Sequence, residues 1–224
     1  MKKNIIEIKN LIKTYEQAGE QILVLDGVNF SASQGEFISV VGPSGCGKST
    51  FLNIIGLLDC YYGGEFNIFQ TDASKLSEEE KAHLRLTKIG FVFQFDSLLP
   101  EFTAIENVEL PAMMAGRPSR KAAADLFSAF SMEKLADKNP REISGGEKQR
   151  IALLRAMRNS PSLILADEPT GNLDHNNAVK VLSDLKKACG LGTCVITVTH
   201  NLSLARDFSD RIFELKEEKL FEIK

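Results

Sequence analysis

Gly42-Pro43-Ser44-Gly45-Cys46-Gly47-Lys48-Ser49-Thr50 decides how the chain is read, because it fits G-x-x-x-x-G-K-[ST] between an apolar run and a helical pattern. Before it, Phe37-Ile38-Ser39-Val40-Val41 has the composition of a buried strand; after it, residues 51–58 continue as a helix with little polarity. Glycines let the backbone curl so that successive N–H groups turn inward. The first turn of the helix adds unpaired N–H groups and the positive end of its dipole. The stretch therefore predicts a nest for the phosphate oxygens of a nucleotide, with Lys48 reaching the β- and γ-phosphates and the Ser49 hydroxyl on a magnesium ion.

Three further strand ends carry groups suited to the same ligand. Ile89-Gly90-Phe91-Val92-Phe93 ends in Gln94, whose amide both donates and accepts. Leu163-Ile164-Leu165-Ala166 runs into Asp167-Glu168, and a strand over 193–198 precedes His200. Ligands of open α/β sheets collect at the carboxyl ends of the strands. Asp167 is thus expected to hold magnesium through its water shell and Glu168 to orient and deprotonate an attacking water, with Gln94 and His200 beside the γ-phosphate. Carboxylates after a strand also serve as plain helix caps, but this pair follows a phosphate loop. His83 and His175 read as structural or solvated.

Ile143-Ser144-Gly145-Gly146-Glu147 precedes a helix expected over 148–157 and admits two readings. Ser144 with Glu147 is a capping box. The glycine pair, which weakens a helix and permits close approach, also suits a second anion site at a helix N-terminus. Strands over 5–12 and 21–30, around a polar turn at 16–20, predict an antiparallel layer ahead of the phosphate loop. Tyr15 between them is either ordinary packing or a ring that stacks on a base. Residues 63–69 read as a turn and strand, and Ser77 opens a charged helix. From 95 to 142 the pattern turns helical without strands: Thr103 and Glu106 make a capping box, a helix runs to about Ala115, Gly116-Arg117-Pro118 breaks it, and a second helix covers 119–130. A helix is expected over 177–188 and a hairpin over 211–224.

The 224 residues suffice for one large domain or a domain with an insertion. With 43% hydrophobic and 25% charged residues, the disordered and collagen-like classes drop out. A net charge of -3 gives no global attraction to nucleic acid, so none is expected as a partner. No run of 18 apolar residues occurs and charge interrupts the amino end too early for a signal peptide, so a cytoplasmic location is expected. The four cysteines lack C-x-x-C spacing and read as reduced thiols; Cys46 is either a reactive thiol at a helix start or an inert small loop residue.

Phosphate loop, Gln94, Ser144-Gly145-Gly146, Asp167-Glu168 and His200 occur in the order of the nucleotide-binding subunits of ATP-binding cassette transporters, which the whole chain resembles. The resemblance implies an α/β P-loop NTPase core with a mainly parallel sheet (1–94 and 143–224), an N-terminal antiparallel β layer, and an inserted α-helical subdomain (95–142). It implies that Ile143-Ser144-Gly145-Gly146-Glu147 is the family signature, that Tyr15 stacks on adenine, and that Asn172-Leu173-Asp174 lies in the loop crossing a dimer interface. Two copies would sandwich two ATP molecules with Mg2+, Ser144 and Gly146 of one contacting the γ-phosphate held by Lys48 of the other.

Gln94-Phe95, Leu98-Leu99-Pro100, Phe102-Thr103-Ala104, Glu106-Asn107-Val108 and the stretch from Asp167 to Asp174 resemble, more narrowly, the lipoprotein-releasing and macrolide-exporting branch. Asp96-Ser97, Ile143 and Asn201 depart from its usual residues. With a motor's chemistry and no membrane span, the chain is expected to work through an integral membrane permease on the cytoplasmic face of the inner membrane, with Gln94 and an apolar groove within 95–114 as the coupling surface. The competing expectation is a regulatory cassette that signals through a membrane partner to a cell-wall hydrolase without moving cargo. A metabolite kinase would leave the Ser144-Gly145-Gly146 box unexplained.

Overall fold

The computed structural model describes residues 3–17, 19–61, 63–94 and 98–224. Phe95, Asp96 and Ser97, which figured in the branch motif and the expected groove, lie outside the described residues.

Two sheets make the framework. The first is antiparallel, ordered β2-β1-β4-β5, from β1 (Asn4–Gln17), β2 (Glu20–Ser33), β4 (Gly63–Ile68) and β5 (Thr71–Asp72). The second is ordered β10-β9-β3-β8-β7-β6, from β3 (Phe37–Val41), β6 (Ile89–Val92), β7 (Leu163–Asp167), β8 (Cys194–Thr199), β9 (Arg211–Lys216) and β10 (Lys219–Glu222). Every pair in it is parallel except β9 with β10. β3 and β8 are buried along their whole length, as strands covered on both faces must be.

Among the described residues, alternation along these strands feeds two large cores, beside a small cluster of Val41, Ala205 and Ile212. Ile38, Val40, Leu163, Leu165, Ile196 and Val198 face the antiparallel layer and α1 (Lys48–Ile55). Phe37, Ile164, Ala166 and Val195 face the opposite way, toward the core that holds the apolar sides of α3 (Ala104–Met114), α4 (Arg120–Ala129), α5 (Gly145–Met157) and α6 (His175–Gly190). α2 (Glu78–Thr87) lies on the surface with no buried residue, and α7 (Leu202–Phe208) follows β8.

The expected capping boxes form at Ser77, Thr103 and Ser144. Several boundaries shift for local reasons. α1 ends at Ile55, short of the expected 58, because Leu57 takes a left-handed backbone (φ 57°). α6 starts at His175 because Asp174 accepts the Asn177 N–H at 3.1 Å as its cap. α5 begins at Gly145, inside the glycine pair and not after it. The terminal hairpin forms, and β9 also joins the parallel sheet beside β3.

A buried ion pair fastens the helices between β6 and β7. Arg158 donates from Nε to Glu109 Oε2 at 2.8 Å and from Nη2 to Oε1 at 3.0 Å, and the Ser119 N–H donates to the same carboxylate. The two side chains are 9% and 11% exposed. Burial alone would raise the Glu109 carboxyl, but the guanidinium and the Ser119 N–H outweigh it and hold it below the usual range. With a folded pKa below the unfolded one, this stabilisation is complete at neutral pH and is lost as pH falls through the acid range. Glu109→Ala, which strands Arg158, is expected to destabilise the chain by about 3 kcal/mol, a fall of roughly 6–12 °C in melting temperature by calorimetry. An unchanged melting temperature would remove the pair from the account.

Candidate functional site

The carboxyl ends of β3, β8, β7 and β6 stand side by side in the sheet, and each carries one of the sequence-derived groups: the phosphate loop, His200, Asp167-Glu168 and Gln94. Gly42 and Gly47 make the loop possible. Both have positive φ (156° and 103°); a Cβ on Gly42 would lie 2.5 Å from the Leu215 carbonyl, and one on Gly47 would lie 2.9 Å from Val24 Cγ1. The loop is thus wedged between β9 and β2. Pro43, Ser44, Gly45 and Cys46 form its crown, where a Cβ on Gly45 would meet nothing within 4 Å. Cys46 is a half-buried free thiol.

No side chain caps α1 and no acidic residue sits in its first turn, so its leading N–H groups and dipole stay directed at the loop. Lys48, 7% exposed, folds its ammonium onto the Gly42 and Pro43 carbonyls at 2.9 and 2.8 Å. Such a loop, with inward N–H groups, a lysine and open space at its crown, fits a triphosphate.

Ser49 Oγ donates to Asp167 Oδ1 at 3.2 Å, so the two expected magnesium ligands are together. Burial, with Glu168 beside it, raises the Asp167 carboxyl above its ordinary range despite the Ser49 hydrogen bond and Lys48. Among the described residues no group of three or more His, Cys, Asp or Glu forms a metal cage. A hydroxyl and one or two carboxylates fit magnesium, which takes its remaining oxygens from phosphates and water.

Glu168 has a left-handed backbone (φ 44°), a strained state for a side-chain-bearing residue. Its N–H is fixed on the Val198 carbonyl at 3.0 Å, and its carboxylate meets His200 Nδ1 at 3.0 Å through Oε2. His200 is thus partnered by Glu168. Gln94 is set differently: its Nε2 lies 3.1 Å from where a Cβ on Gly171 would stand, against the loop after Glu168. Tyr15 is 40% exposed near the start of α1.

Ser144 is the cap of α5: it accepts the Glu147 N–H at 3.4 Å and donates its hydroxyl to Glu147 Oε2 at 2.6 Å, which lowers the Glu147 carboxyl. The glycines divide the work. A Cβ on Gly146 would meet Asn177 Cγ at 2.9 Å, whereas one on Gly145 would meet nothing within 4 Å. The close approach at Gly146 is made by Asn177 of the same chain, and Gly145 is an open tip. The structure joins Ser144 to Glu147 and Gly146 to Asn177, not to the phosphate loop of its own chain.

Sequence reasoning missed three neighbours of the site: Asn177; Gln149, whose amide donates to the Phe93 carbonyl at 2.7 Å just before Gln94; and Asp59, which accepts from the Tyr15 hydroxyl. Only Gln149 had a local signal, as a polar residue within the buried side of α5.

The sequence pattern of the ABC transporter family matches residues 25–171. A protein of Novosphingobium aromaticivorans named lipoprotein-releasing system ATP-binding protein LolD is 46% identical over 217 residues, spanning 95% of this chain and 96% of its own. MJ0796 of Methanocaldococcus jannaschii, an uncharacterized ABC transporter ATP-binding protein, is 44% identical over 221 residues, 95% of this chain and 94% of its own. The dimeric post-hydrolysis structure of the MJ0796 cassette bound to ADP and Pi superimposes with a TM-score of 0.86 at 40% identity, covering 98% of this chain and 99% of that one. With fold, strand-edge groups and relatives in agreement, the chain belongs to the ABC transporter family, as an ATP-hydrolysing cassette that powers a membrane partner.

Proposed function

We propose that the chain is the ATPase subunit of a lipoprotein-releasing complex, working as a pair on the cytoplasmic face of the inner membrane. The observation that supports the paired site is that the Ser144-Gly145 tip is exposed, with open space at Gly145, and that the Ser144 hydroxyl is bonded within its own helix, to Glu147. A second copy would bring its Ser144, Gly145 and Gly146 to the triphosphate on Lys48, and a two-fold arrangement completes both sites at once. The similarity to LolD supports the cargo.

In this reading Gly42 to Thr50 bind the phosphates and Tyr15 stacks on the base. Ser49, Asp167 and Gln94 would hold Mg2+, which would neutralise charge on the phosphates. Glu168 takes a proton from the attacking water as its oxygen bonds to the γ-phosphorus and the bond to the β-phosphate oxygen breaks, giving ADP and phosphate. His200 orients Glu168 and the γ-phosphate. Residues 95–142 act as a helical subdomain that passes closure to the permease. An apolar cavity of about 330 Å³ between β6 and α3, lined by Phe91, Phe93, Leu110, Pro111 and Met114, with Met114 76% exposed, suits the apolar face of a permease helix.

With its permease in proteoliposomes, the chain is expected to release lipoprotein in an ATP-dependent way; hydrolysis without release would favour the regulatory alternative. Glu168→Gln should cut steady-state hydrolysis by about 100-fold or more while changing ATP affinity less than about threefold. Undiminished turnover would overturn the base assignment. The Asp167 carboxyl is raised in the folded state, so its ionised form costs stability at neutral pH. Asp167→Asn is therefore expected to raise the nucleotide-free melting temperature by roughly 1–3 °C and to remove the magnesium-dependent part of the stabilisation by ATP. A lowered melting temperature with magnesium dependence intact would contradict the assignment.

A further inference from the structure

Tyr15 stands in a clamp that none of these roles uses. Lys13, two residues earlier on the same face of β1, is 6% exposed, and its ammonium donates to Asp59 Oδ1 and to the Cys60 carbonyl, each at 2.7 Å. The Tyr15 hydroxyl donates to the other carboxylate oxygen, Oδ2, at 2.5 Å, and Lys13 Nζ lies 4.2 Å from the centre of the ring. Thr50, in the first turn of α1, lies close enough to the same phenol to act on it electrostatically. Burial, reinforced by Asp59, raises the phenol pKa further, so Tyr15 stays a neutral donor. Burial would raise the Asp59 carboxyl, but Lys13, Tyr15 and the Cys60 N–H prevail and lower it, so Asp59 is the ionised acceptor.

Three consequences follow from this geometry. A buried ammonium must be paired, so Lys13 and Asp59 depend on each other. The cation occupies one side of the ring, in cation–π contact, so a flat ligand has only the opposite face to stack on. Asp59 lies in the turn just beyond α1, so its hydrogen bond from Tyr15 ties the ring of β1 to the segment that carries Lys48 and Ser49.

We propose that Lys13 and Asp59 are positioning residues for nucleotide binding, which hold Tyr15 as a one-sided stacking platform for the purine base at a set distance from the phosphate loop. The proposal rests on the reading of Tyr15 as the base platform, and its test separates the two. The full-length chain is titrated calorimetrically with MgATP and, as a triphosphate without a base, with magnesium tripolyphosphate. Tyr15→Ala is expected to weaken MgATP about tenfold, and Asp59→Ala about fivefold, with tripolyphosphate within about twofold of wild type in both. The double variant is expected to bind MgATP within about twofold of Tyr15→Ala alone, because the clamp has no ring left to hold.

Asp59→Ala weakening tripolyphosphate as much as MgATP, or losses that multiply in the double variant, would overturn the positioning role and leave Asp59 a structural residue. Unchanged MgATP binding in Tyr15→Ala would overturn the base-platform reading and the clamp with it. If Asp59→Ala fails to fold, Asp59→Asn, which keeps an acceptor for the hydroxyl but removes the charge facing Lys13, carries the same comparison.

Discussion

The phosphate loop has no room for side chains at two of its glycines, and the rest of the architecture follows from what presses on them. Leu215 of β9 closes on Gly42, and Val24 of β2 closes on Gly47. The loop is one of the places where the parallel sheet and the antiparallel layer meet. A substituent at either position would push the sheets apart or lift the loop off them. With the loop pinned, the start of α1 is fixed, and with it the direction of the N–H groups, Lys48 and Ser49.

From that point the chemistry is arranged by strand order. β3, β8, β7 and β6 are neighbours and parallel, so groups far apart in sequence end on one edge: Lys48 and Ser49, then His200, then Asp167 and Glu168, then Gln94. Two costs are concentrated there, a left-handed Glu168 and a carboxyl at Asp167 raised by burial. Both sit where a cation and a triphosphate would relieve or use them, which is the usual place for strain to survive. The Ser144 tip, by contrast, is satisfied locally and exposed, a surface ready for something outside the chain.

Much of this was legible in the sequence because the signals are local. An all-apolar run reads as a strand buried on both faces, and a glycine loop between strand and helix reads as an anion nest whatever the surroundings. Capping boxes at Ser77, Thr103 and Ser144 needed only three-residue spacing. The rest depends on contacts across the chain. The terminal hairpin could be read as antiparallel, but nothing local told that β9 would pair with β3. Asp59, 44 residues from Tyr15, carries no mark of their hydrogen bond. Ser144-Gly145-Gly146 stayed ambiguous because one set of atoms serves both purposes: the hydroxyl that caps α5 is also the group a second copy would present.

The central claim is that a complete site needs two chains with ATP between them. Sedimentation equilibrium of the Glu168→Gln chain, with and without MgATP, tests it most directly. The account predicts a mass that doubles from 24.7 kDa only when ATP is present and that stays single when Ser144→Arg is added, although the phosphate loop is untouched. A chain that binds ATP yet keeps its single mass, or one that still doubles with Ser144→Arg, would contradict it.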